Sequence, residues 1–271
     1  MDTMRKNKLF VIVVLYNLRI LESPVVNVIG RDSTYSNLVI IDNSNQSRIF
    51  LENKHYCSNN RILYLGDGIN YGLSKAYNMA ISFLIENHID FDFITIFDQD
   101  TSIPDSFFKQ LINKINDYSS RDPVLLYPIV QTQIHGRMAV LSPRNVFRSK
   151  YTGNFFINSG ITFSKTVVEN CKYNENIFLD FVDYEYLMQI RFQFCKELKE
   201  ISTGIIIFQD FSGSKFSSID SDYTRFLIFA KDLREFAKSW PSYRLIVYLL
   251  LLKRCIRLTT HYLTISLALF A

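Results

Sequence analysis

Two aspartates separated by one residue follow an apolar segment in the first half of the chain. The segment spans residues 91–97, and Asp98 and Asp100 come directly after it. Alternate residues at a strand end point to the same side, so both carboxylates reach one ligand there. Two carboxylates suit a hard divalent cation, Mg²⁺ or Mn²⁺, that bridges to a diphosphate and offsets the charge of a leaving nucleotide. A solvated turn is the alternative that this pattern alone leaves open.

A third acid, Asp42, ends another apolar segment, residues 37–41, and turn-forming residues follow it. An acid in this position accepts a hydrogen bond from the imide N–H of a pyrimidine base or from ribose hydroxyls. An Asx turn or a helix cap explains the same residue equally well.

A loop at residues 68–78 runs into a helical pattern and contains Asn70, Gly72 and Asn78. Its glycines permit close backbone approach, and the helix start offers free N–H groups to anionic oxygens. The spacing matches neither a Walker loop nor the dinucleotide fingerprint, which argues against ATP hydrolysis and NAD chemistry.

Asp183 and Glu185 lie among large apolar residues in the second half of the chain. Burial raises the pKa of such carboxyl groups and allows them to act as general bases. Acids that favour the positive end of a helix are the alternative for this segment.

Apolar segments of strand length alternate with a segment of helical spacing through the first half. This alternation predicts an α/β fold in which a mainly parallel central sheet is flanked by helices. Ligands bind beyond the carboxyl ends of the strands in such sheets, where Asn17, Asp42 and the Asp98–Asp100 pair stand. The predicted strands are 9–16, 37–41, 61–65 and 91–97, and the predicted helix is 72–88.

The second half is less regular, and it shows neither an internal repeat nor a long linker. Its predicted helices are 106–117, 183–198 and 222–240, the last ended by Pro241, and its predicted strands are 155–163 and 205–208.

The composition excludes a disordered chain, because 48% of the 271 residues are hydrophobic and the net charge is only +4. The apolar residues 9–15 superficially resemble a signal peptide, but they are few and no small-residue cleavage site follows, so a buried strand is expected. No stretch reaches the roughly 18 to 20 apolar residues of a spanning helix. The four cysteines have no short spacing, which indicates ordinary thiols in a reducing compartment.

Charge is distributed unevenly along the chain. Residues 237–271 carry five basic residues and no acid, so residues 1–236 sum to −1. The sequence therefore predicts a domain at 1–236 and a helical, basic and apolar segment at 237–271. That segment either packs on the sheet as a helical pair or attaches peripherally to an anionic leaflet with its five cations toward the headgroups. Nucleic-acid binding is disfavoured, because the larger part is slightly acidic and no nucleic-acid motif occurs.

Taken in order, the motifs resemble the inverting family 2 glycosyltransferases of the GT-A fold, most closely their bacterial rhamnosyltransferase-like branch. The resemblance extends from residue 9 to about residue 195, some two thirds of the chain. The segments that carry it are 13–17, 41–44, 70–78, 97–101, 158–160 and 173–185.

The resemblance implies a role for each matching residue. Asp42 would hold the base of a nucleotide sugar, and Asp98 and Asp100 would hold metal and diphosphate, with Asp100 as the direct ligand. Asp183 would be the base that takes the proton of the acceptor hydroxyl, with Glu185 as a supporting acid. The remaining residues implied in nucleotide-sugar binding are Asn17, Asn70, Gly72, Asn78, Ser159 and Gly160.

The resemblance also implies the reaction and its setting. Rhamnose or another hexose would pass from a dTDP or UDP sugar to a lipid-linked saccharide, with inversion, in bacterial surface polysaccharide (O-antigen, lipopolysaccharide or capsule) biosynthesis. The enzyme would be cytoplasmic and peripheral on the inner face of the cell membrane. The alternatives are a nucleotidyltransferase, which shares the strand-end acids, and a catalytically degenerate, membrane-associated partner of another transferase.

The chain departs from the family pattern at several positions. Relatives have an arginine a few residues after the base, whereas this chain has Gln189, with Arg191 two residues further on. Val182 stands where many relatives have glutamate, and the usual later histidine is replaced around Gln209 and Asp210. These departures leave open which residue of the second half contacts the diphosphate.

Overall fold

The computed structural model describes residues 6–31, 37–134, 137–140, 157–209 and 218–270. Among these residues it places nine strands in one sheet, with helices on both faces. The strands are β1 Leu9–Leu15, β2 Leu38–Asp42, β3 Leu63–Leu65, β4 Phe93–Asp98, β5 Thr101–Ser102, β6 Val124–Ile134, β7 Arg137–Val140, β8 Thr162–Ser164 and β9 Lys199–Gln209. The helices are α1 Pro24–Arg31, α2 Ser47–Asn59, α3 Gly72–Glu86, α4 Phe107–Ile115, α5 Lys165–Asn170, α6 Val182–Phe194, α7 Ile219–Ser239 and α8 Arg244–Phe270.

The strand order is β3-β2-β1-β4-β8-β6-β9-β5, and β7 pairs with β6. The first four strands in this order are parallel to one another. Beyond β4 the sheet is mixed, because β8 is antiparallel to both β4 and β6, whereas β9 is parallel to β6. The predicted α/β class is confirmed, and the parallel arrangement holds for the half of the sheet that the first 100 residues build.

Strand β1 lies at the centre of the parallel half and shows how the sheet is covered. Phe10, Ile12 and Val14 pack into the apolar cluster on one face, while Val11 and Val13 pack into the cluster on the other. All seven residues of β1 are buried. A strand that is apolar at every position is what a parallel sheet with helices on both faces requires.

The second half differs from the prediction in several elements, and β6, β7 and α5 were not predicted. Strand β9 is eleven residues long rather than the four predicted, because its first half, residues 199–204, has Ile201 as its single large apolar side chain and therefore lacks an apolar run. Helix α6 ends at Phe194, four residues early, where Cys195 takes a left-handed backbone with φ of 48°. The predicted strand 155–163 overlaps β8 only at residues 162 and 163; residues 157–161 are not in a strand, and residues 155–156 lie outside the described ranges.

The C-terminal segment folds as one long helix instead of a helical pair. Pro241 opens a short 3₁₀ turn after α7, and the 27 residues of α8 follow without interruption. Helix α7 runs through residues 236 and 237, so the change in composition falls inside a helix, and the two-part division of the chain stays a prediction. In the described part of the chain, no helix has the length and hydropathy needed to cross a bilayer.

Candidate active site

A cavity of about 740 Å³ opens at the carboxyl ends of β1 and β4. The loop before α3 and the segment before α6 form two of its walls, and the N-terminal half of α7 forms a third. The residues that line it are Val14, Tyr16, Asn43, Asn70, Gly72, Leu73, Asp98, Gln99, Asp100, Phe178, Leu179, Gln209, Asp220, Ser221, Thr224, Arg225 and Ile228. The position agrees with the rule that parallel sheets bind ligands beyond their carboxyl ends.

Asp98 and Asp100 both line this cavity, as the strand-end spacing predicts. Asp98 is partly buried and accepts hydrogen bonds from the Tyr77 hydroxyl at 3.3 Å and from Gln209 Nε2 at 2.9 Å. Burial raises the pKa of Asp98, and these two hydrogen bonds oppose the shift. Asp100 is exposed, and its Oδ1 lies 3.5 Å from Gln209 Nε2.

Gln209 turns its amide Nε2 toward both carboxylates, at 2.9 Å from Asp98 Oδ2 and 3.5 Å from Asp100 Oδ1. Its Oε1 is buried and has no hydrogen-bond partner, which is costly unless a ligand satisfies it. The carboxylates of Asp98 and Asp100 are hard oxygen ligands of the kind that Mg²⁺ and Mn²⁺ accept. The donor set therefore fits a divalent cation, although the described residues contain no group of three or more His, Cys, Asp or Glu side chains placed to hold one.

Asp183 lies in the first turn of α6, two residues after Phe181, whose φ of 65° turns the chain into the helix. Its Oδ1 accepts the backbone N–H of Tyr184 at 2.9 Å. Burial, with a smaller contribution from the nearby charge of Asp98, raises the pKa of Asp183 to about 7. Asp183 is not among the cavity-lining residues, but the charge of Asp98 acts on Asp183, and the charge of Asp183 acts on Tyr77, whose hydroxyl donates to Asp98. This environment is that of a carboxyl group able to take up a proton near neutral pH.

Glu185 is buried beneath the site with 2% of its surface exposed. Both of its oxygens accept from Gln189 Nε2, at 2.7 and 2.8 Å, and burial raises its pKa to about 7. The Gln189 side-chain amide is therefore engaged in hydrogen bonds to Glu185. Arg191 points to β9, where it forms a bidentate ion pair with Glu200, so neither residue reaches the cavity from α6.

Asp42 is 1% exposed, and its carboxylate is hydrogen-bonded to other groups of the protein. Its oxygens accept from the backbone N–H of Ser44, from Asn53 Nδ2 and from the Tyr64 hydroxyl, at 2.8 to 3.0 Å. The bond to Ser44 is the Asx turn that the sequence left open. Asp42 also lies outside the cavity lining, so its role toward a nucleotide base stays a prediction.

The other implied binding residues divide into cavity-lining and supporting ones. Asn70 and Gly72 line the cavity. Asn17 accepts from the backbone N–H groups of Asn45 and Gln46 at 3.1 and 3.2 Å. Asn78 forms two hydrogen bonds with the Tyr173 backbone and donates a third to Glu175 Oε1.

Ser159 and Gly160 support the end of β4 from behind. The backbone N–H of Asp98 donates to Ser159 Oγ at 3.2 Å, and the N–H of Gly160 donates to the Ile96 carbonyl at 2.7 Å. Both residues are buried and outside the cavity lining. They position the Asp98–Asp100 segment.

Helix α7 contributes residues that the sequence motifs did not identify. Arg225 lines the cavity and forms a bidentate ion pair with Asp180, with Nη2 at 2.7 Å from Oδ1. Asp232, which is fully buried, accepts the backbone N–H groups of Phe178, Leu179 and Asp180, each at 2.8 Å. The sequence offered one signal for these two residues, an arginine and an aspartate within a predicted amphipathic helix. Their partners lie about 50 residues away in the sequence, so no local motif connects them.

Comparison with solved structures shows which fold surrounds this site. The S. aureus TarS structure aligns with a TM-score of 0.53 and 16% identity over 83% of this chain and 39% of TarS. TarS 1–349 in complex with UDP aligns with a TM-score of 0.53 and 15% identity, over 83% and 65% of the two chains. The mannosyltransferase PcManGT from Pyrobaculum calidifontis, in complex with GDP-Man and Mn²⁺, aligns over all of this chain and 77% of its own, with a TM-score of 0.55 and 15% identity.

The chain shares the fold of these solved structures. This finding confirms the predicted fold class and agrees with the family resemblance in the sequence. The chain spans 39% to 65% of the length of the TarS chains. No protein-family model and no curated protein sequence matches it.

Proposed function

We propose that this protein is a metal-dependent glycosyltransferase that moves a sugar from a nucleoside-diphosphate sugar to a hydroxyl group of a saccharide acceptor. The observation that carries the proposal is the placement of Asp98 and Asp100 on a large cavity, with the raised-pKa carboxyl group of Asp183 beside them. The fold supports it, since the structural neighbours include a complex with UDP and one with GDP-Man and Mn²⁺.

The donor would bind with its diphosphate at the end of β4. A cation held by Asp98 and Asp100 would offset the negative charge that develops on the leaving nucleoside diphosphate. Arg225 is the cationic side chain among the described cavity-lining residues, and a guanidinium binds phosphate oxygens with two parallel hydrogen bonds. It therefore supplies, from α7, the diphosphate contact that relatives take from the helix of the base.

Asp183 would act as the general base. The acceptor hydroxyl attacks the anomeric carbon as the bond from that carbon to the phosphate oxygen breaks, and the hydroxyl proton passes to Asp183. One displacement of this kind inverts the anomeric configuration. Glu185, buried and held by Gln189, supports the helix that carries Asp183 rather than contacting the substrate.

The finer assignment follows the family resemblance. The donor would be a dTDP or UDP sugar that carries rhamnose or another hexose, since uracil and thymine present the same imide edge. The acceptor would be a lipid-linked saccharide of bacterial surface polysaccharide biosynthesis. The protein would work at the inner face of the cell membrane.

The test is release of nucleoside diphosphate from a panel of nucleotide sugars, with Mn²⁺ or Mg²⁺, followed by transfer to a saccharide acceptor. Asp100→Asn and Asp183→Asn should each lower transfer on the donor found by about a hundredfold or more, and full activity in both variants would refute the mechanism. A nucleotidyltransferase would instead release pyrophosphate from a nucleoside triphosphate. A degenerate partner protein would show no heat of binding with UDP and Mn²⁺ in calorimetry.

A further inference from the structure

One face of α8 consists of large apolar side chains that nothing in the described structure covers. Their successive spacings of three, one, three, four and seven residues place them on a single face of a helix with 3.6 residues per turn. Each is between 53% and 71% exposed, and together they are Leu245, Tyr248, Leu249, Leu252, Ile256 and Leu263. The resulting apolar stripe is about 27 Å long at 1.5 Å per residue.

The opposite face of α8 is the one that packs against the protein. Val247 is buried in the core. Further along, the Arg254 guanidinium lies 4.1 Å from the centre of the Phe229 ring, and the Tyr262 hydroxyl donates to Asp222 Oδ2 at 2.6 Å. These contacts hold α8 along α7. The apolar stripe lies on the opposite face of α8 and therefore points away from the protein.

The charges of α8 indicate what the apolar stripe meets. The helix contains four basic residues and no acid. Arg254 is turned inward onto α7, whereas Arg244, Lys253 and Arg257 are exposed. A second copy of α8 laid on the stripe would bring like charges together, which opposes association. An anionic surface would pair with them.

We propose that the apolar stripe of α8 docks on the headgroup region of an anionic lipid bilayer. Helices with an apolar face, flanking cations and no spanning segment lie in the plane of the interface, with the apolar side chains among the acyl chains. The sequence alone predicted that all five cations of residues 237–271 face the headgroups. In the structure, the docking surface consists of the six apolar residues of the stripe and the three exposed cations, and it does not include Arg254.

Docking through α8 would bring the cavity close to the bilayer. Residues 220–228 of α7 line the cavity on one side, while α7 packs against α8 on the other. Two helices of about 10 Å diameter would separate the bilayer surface from the site. A lipid-linked acceptor, which rests on the proposed function, would then present its sugar within about 20 Å of the membrane surface.

The test is flotation of the full chain with vesicles. The protein should float with vesicles of phosphatidylcholine and phosphatidylglycerol, and weakly or not at all with phosphatidylcholine alone. The double variant Leu249→Glu/Leu252→Glu should lose binding to both kinds of vesicle. The matched double variant Leu21→Glu/Leu51→Glu, at comparably exposed positions elsewhere, should bind as the wild type does. Arg244→Ala/Lys253→Ala should bind the anionic vesicles about thirtyfold more weakly, from about 1 kcal/mol for each basic residue near an anionic surface.

Three outcomes would overturn the proposal: no vesicle binding by the folded wild type, equal binding by the stripe variant, or a wild-type dimer that the stripe variant converts to a monomer. Circular dichroism shows whether each variant is folded. Calorimetry with UDP and Mn²⁺ separates this proposal from the proposed function. Vesicle binding without UDP binding would contradict the transferase assignment alone, and UDP binding without vesicle binding would contradict the docking surface alone.

Discussion

Arg225 and Asp180 form a bidentate ion pair across the wall of the cavity, between α7 and the segment that leads into α6. The Arg225 side chain is 38% exposed and that of Asp180 only 18%. The pair thus holds a guanidinium at the cavity while its far side remains accessible to a ligand. Asp232 fixes the other partner, because it accepts the backbone N–H of Asp180.

We expect Arg225→Ala to raise the KM for the nucleotide sugar more than it lowers kcat, because it removes a charged contact to the diphosphate. A charge-assisted hydrogen bond is worth about 1.5–3 kcal/mol, so the KM should rise by about ten- to a hundredfold. Arg225→Lys should recover part of the loss. Arg234→Ala, at an exposed site of the same helix outside the cavity, is the matched control. An unchanged KM in Arg225→Ala would remove this residue from the donor site.

The pH dependence of transfer should reflect Asp183. Since burial raises its pKa to about 7, a growing fraction of the base is protonated as the pH falls below 7, and kcat should fall with it and level off above. Asp183→Asn should lower kcat by about 10²–10⁴-fold, the usual contribution of a general base. The kcat of this variant should lack the acidic limb, that is, the fall below pH 7. Glu185→Gln should keep that limb. If the limb disappeared in Glu185→Gln instead, the two carboxyl groups would have the opposite roles.

Glu185 should make the free energy of unfolding depend on pH. Its pKa rises from 4.5 to about 7 on folding, so between these values the folded state binds more protons than the unfolded state. Stability is therefore expected to fall as the pH rises from about 4.5 to about 7, by up to about 3 kcal/mol. Glu185→Gln should flatten this slope in urea unfolding at several pH values. The comparison is repeated in the Asp183→Asn background, since Asp183 titrates over the same range, and an unaltered slope in both backgrounds would contradict the assignment.

Gly72→Ala should destabilise the junction between the loop before α3 and the segment before α6. A Cβ at this position would lie 2.5 Å from both the ring and the carbonyl oxygen of Phe178, and the backbone φ is +78°. Gly68 is the matched control, because its φ is +86° but a Cβ there meets nothing within 4 Å. We expect Gly68→Ala to cost about 1–2 kcal/mol, the penalty of left-handed backbone, and Gly72→Ala to cost more. Equal losses in urea unfolding would show that Phe178 yields to the added methyl group.

The first half of the fold was predictable because its signal is local. Strands β1, β2 and β4 are buried at nearly every position, so they read as continuous apolar segments, and each ends in residues that stop a strand. In the second half the signal is weaker. Strand β9 mixes exposed and buried residues, and its length depends on pairing with β6, which no local pattern reveals.

The candidate site was predicted in part for the same reason. Asp98 and Asp100 belong to one strand end, and their spacing alone placed them together on the cavity. Asp42 and Asn17 also stand at strand ends, yet neighbouring groups engage them and they lie outside the cavity lining. Whether a strand-end side chain faces a ligand or the protein depends on its partners in space.

The sequence by itself determined which segments form the parallel half of the sheet, which acids end its strands, and that the C-terminal segment is basic and apolar. Those properties reside in the side chains of contiguous residues. Only the tertiary structure decided that Arg225 reaches the cavity, that Gln189 serves Glu185, and that α8 turns Arg254 inward while leaving an apolar stripe exposed. Each of these depends on which helix packs against which, and that packing brings together residues far apart in the chain.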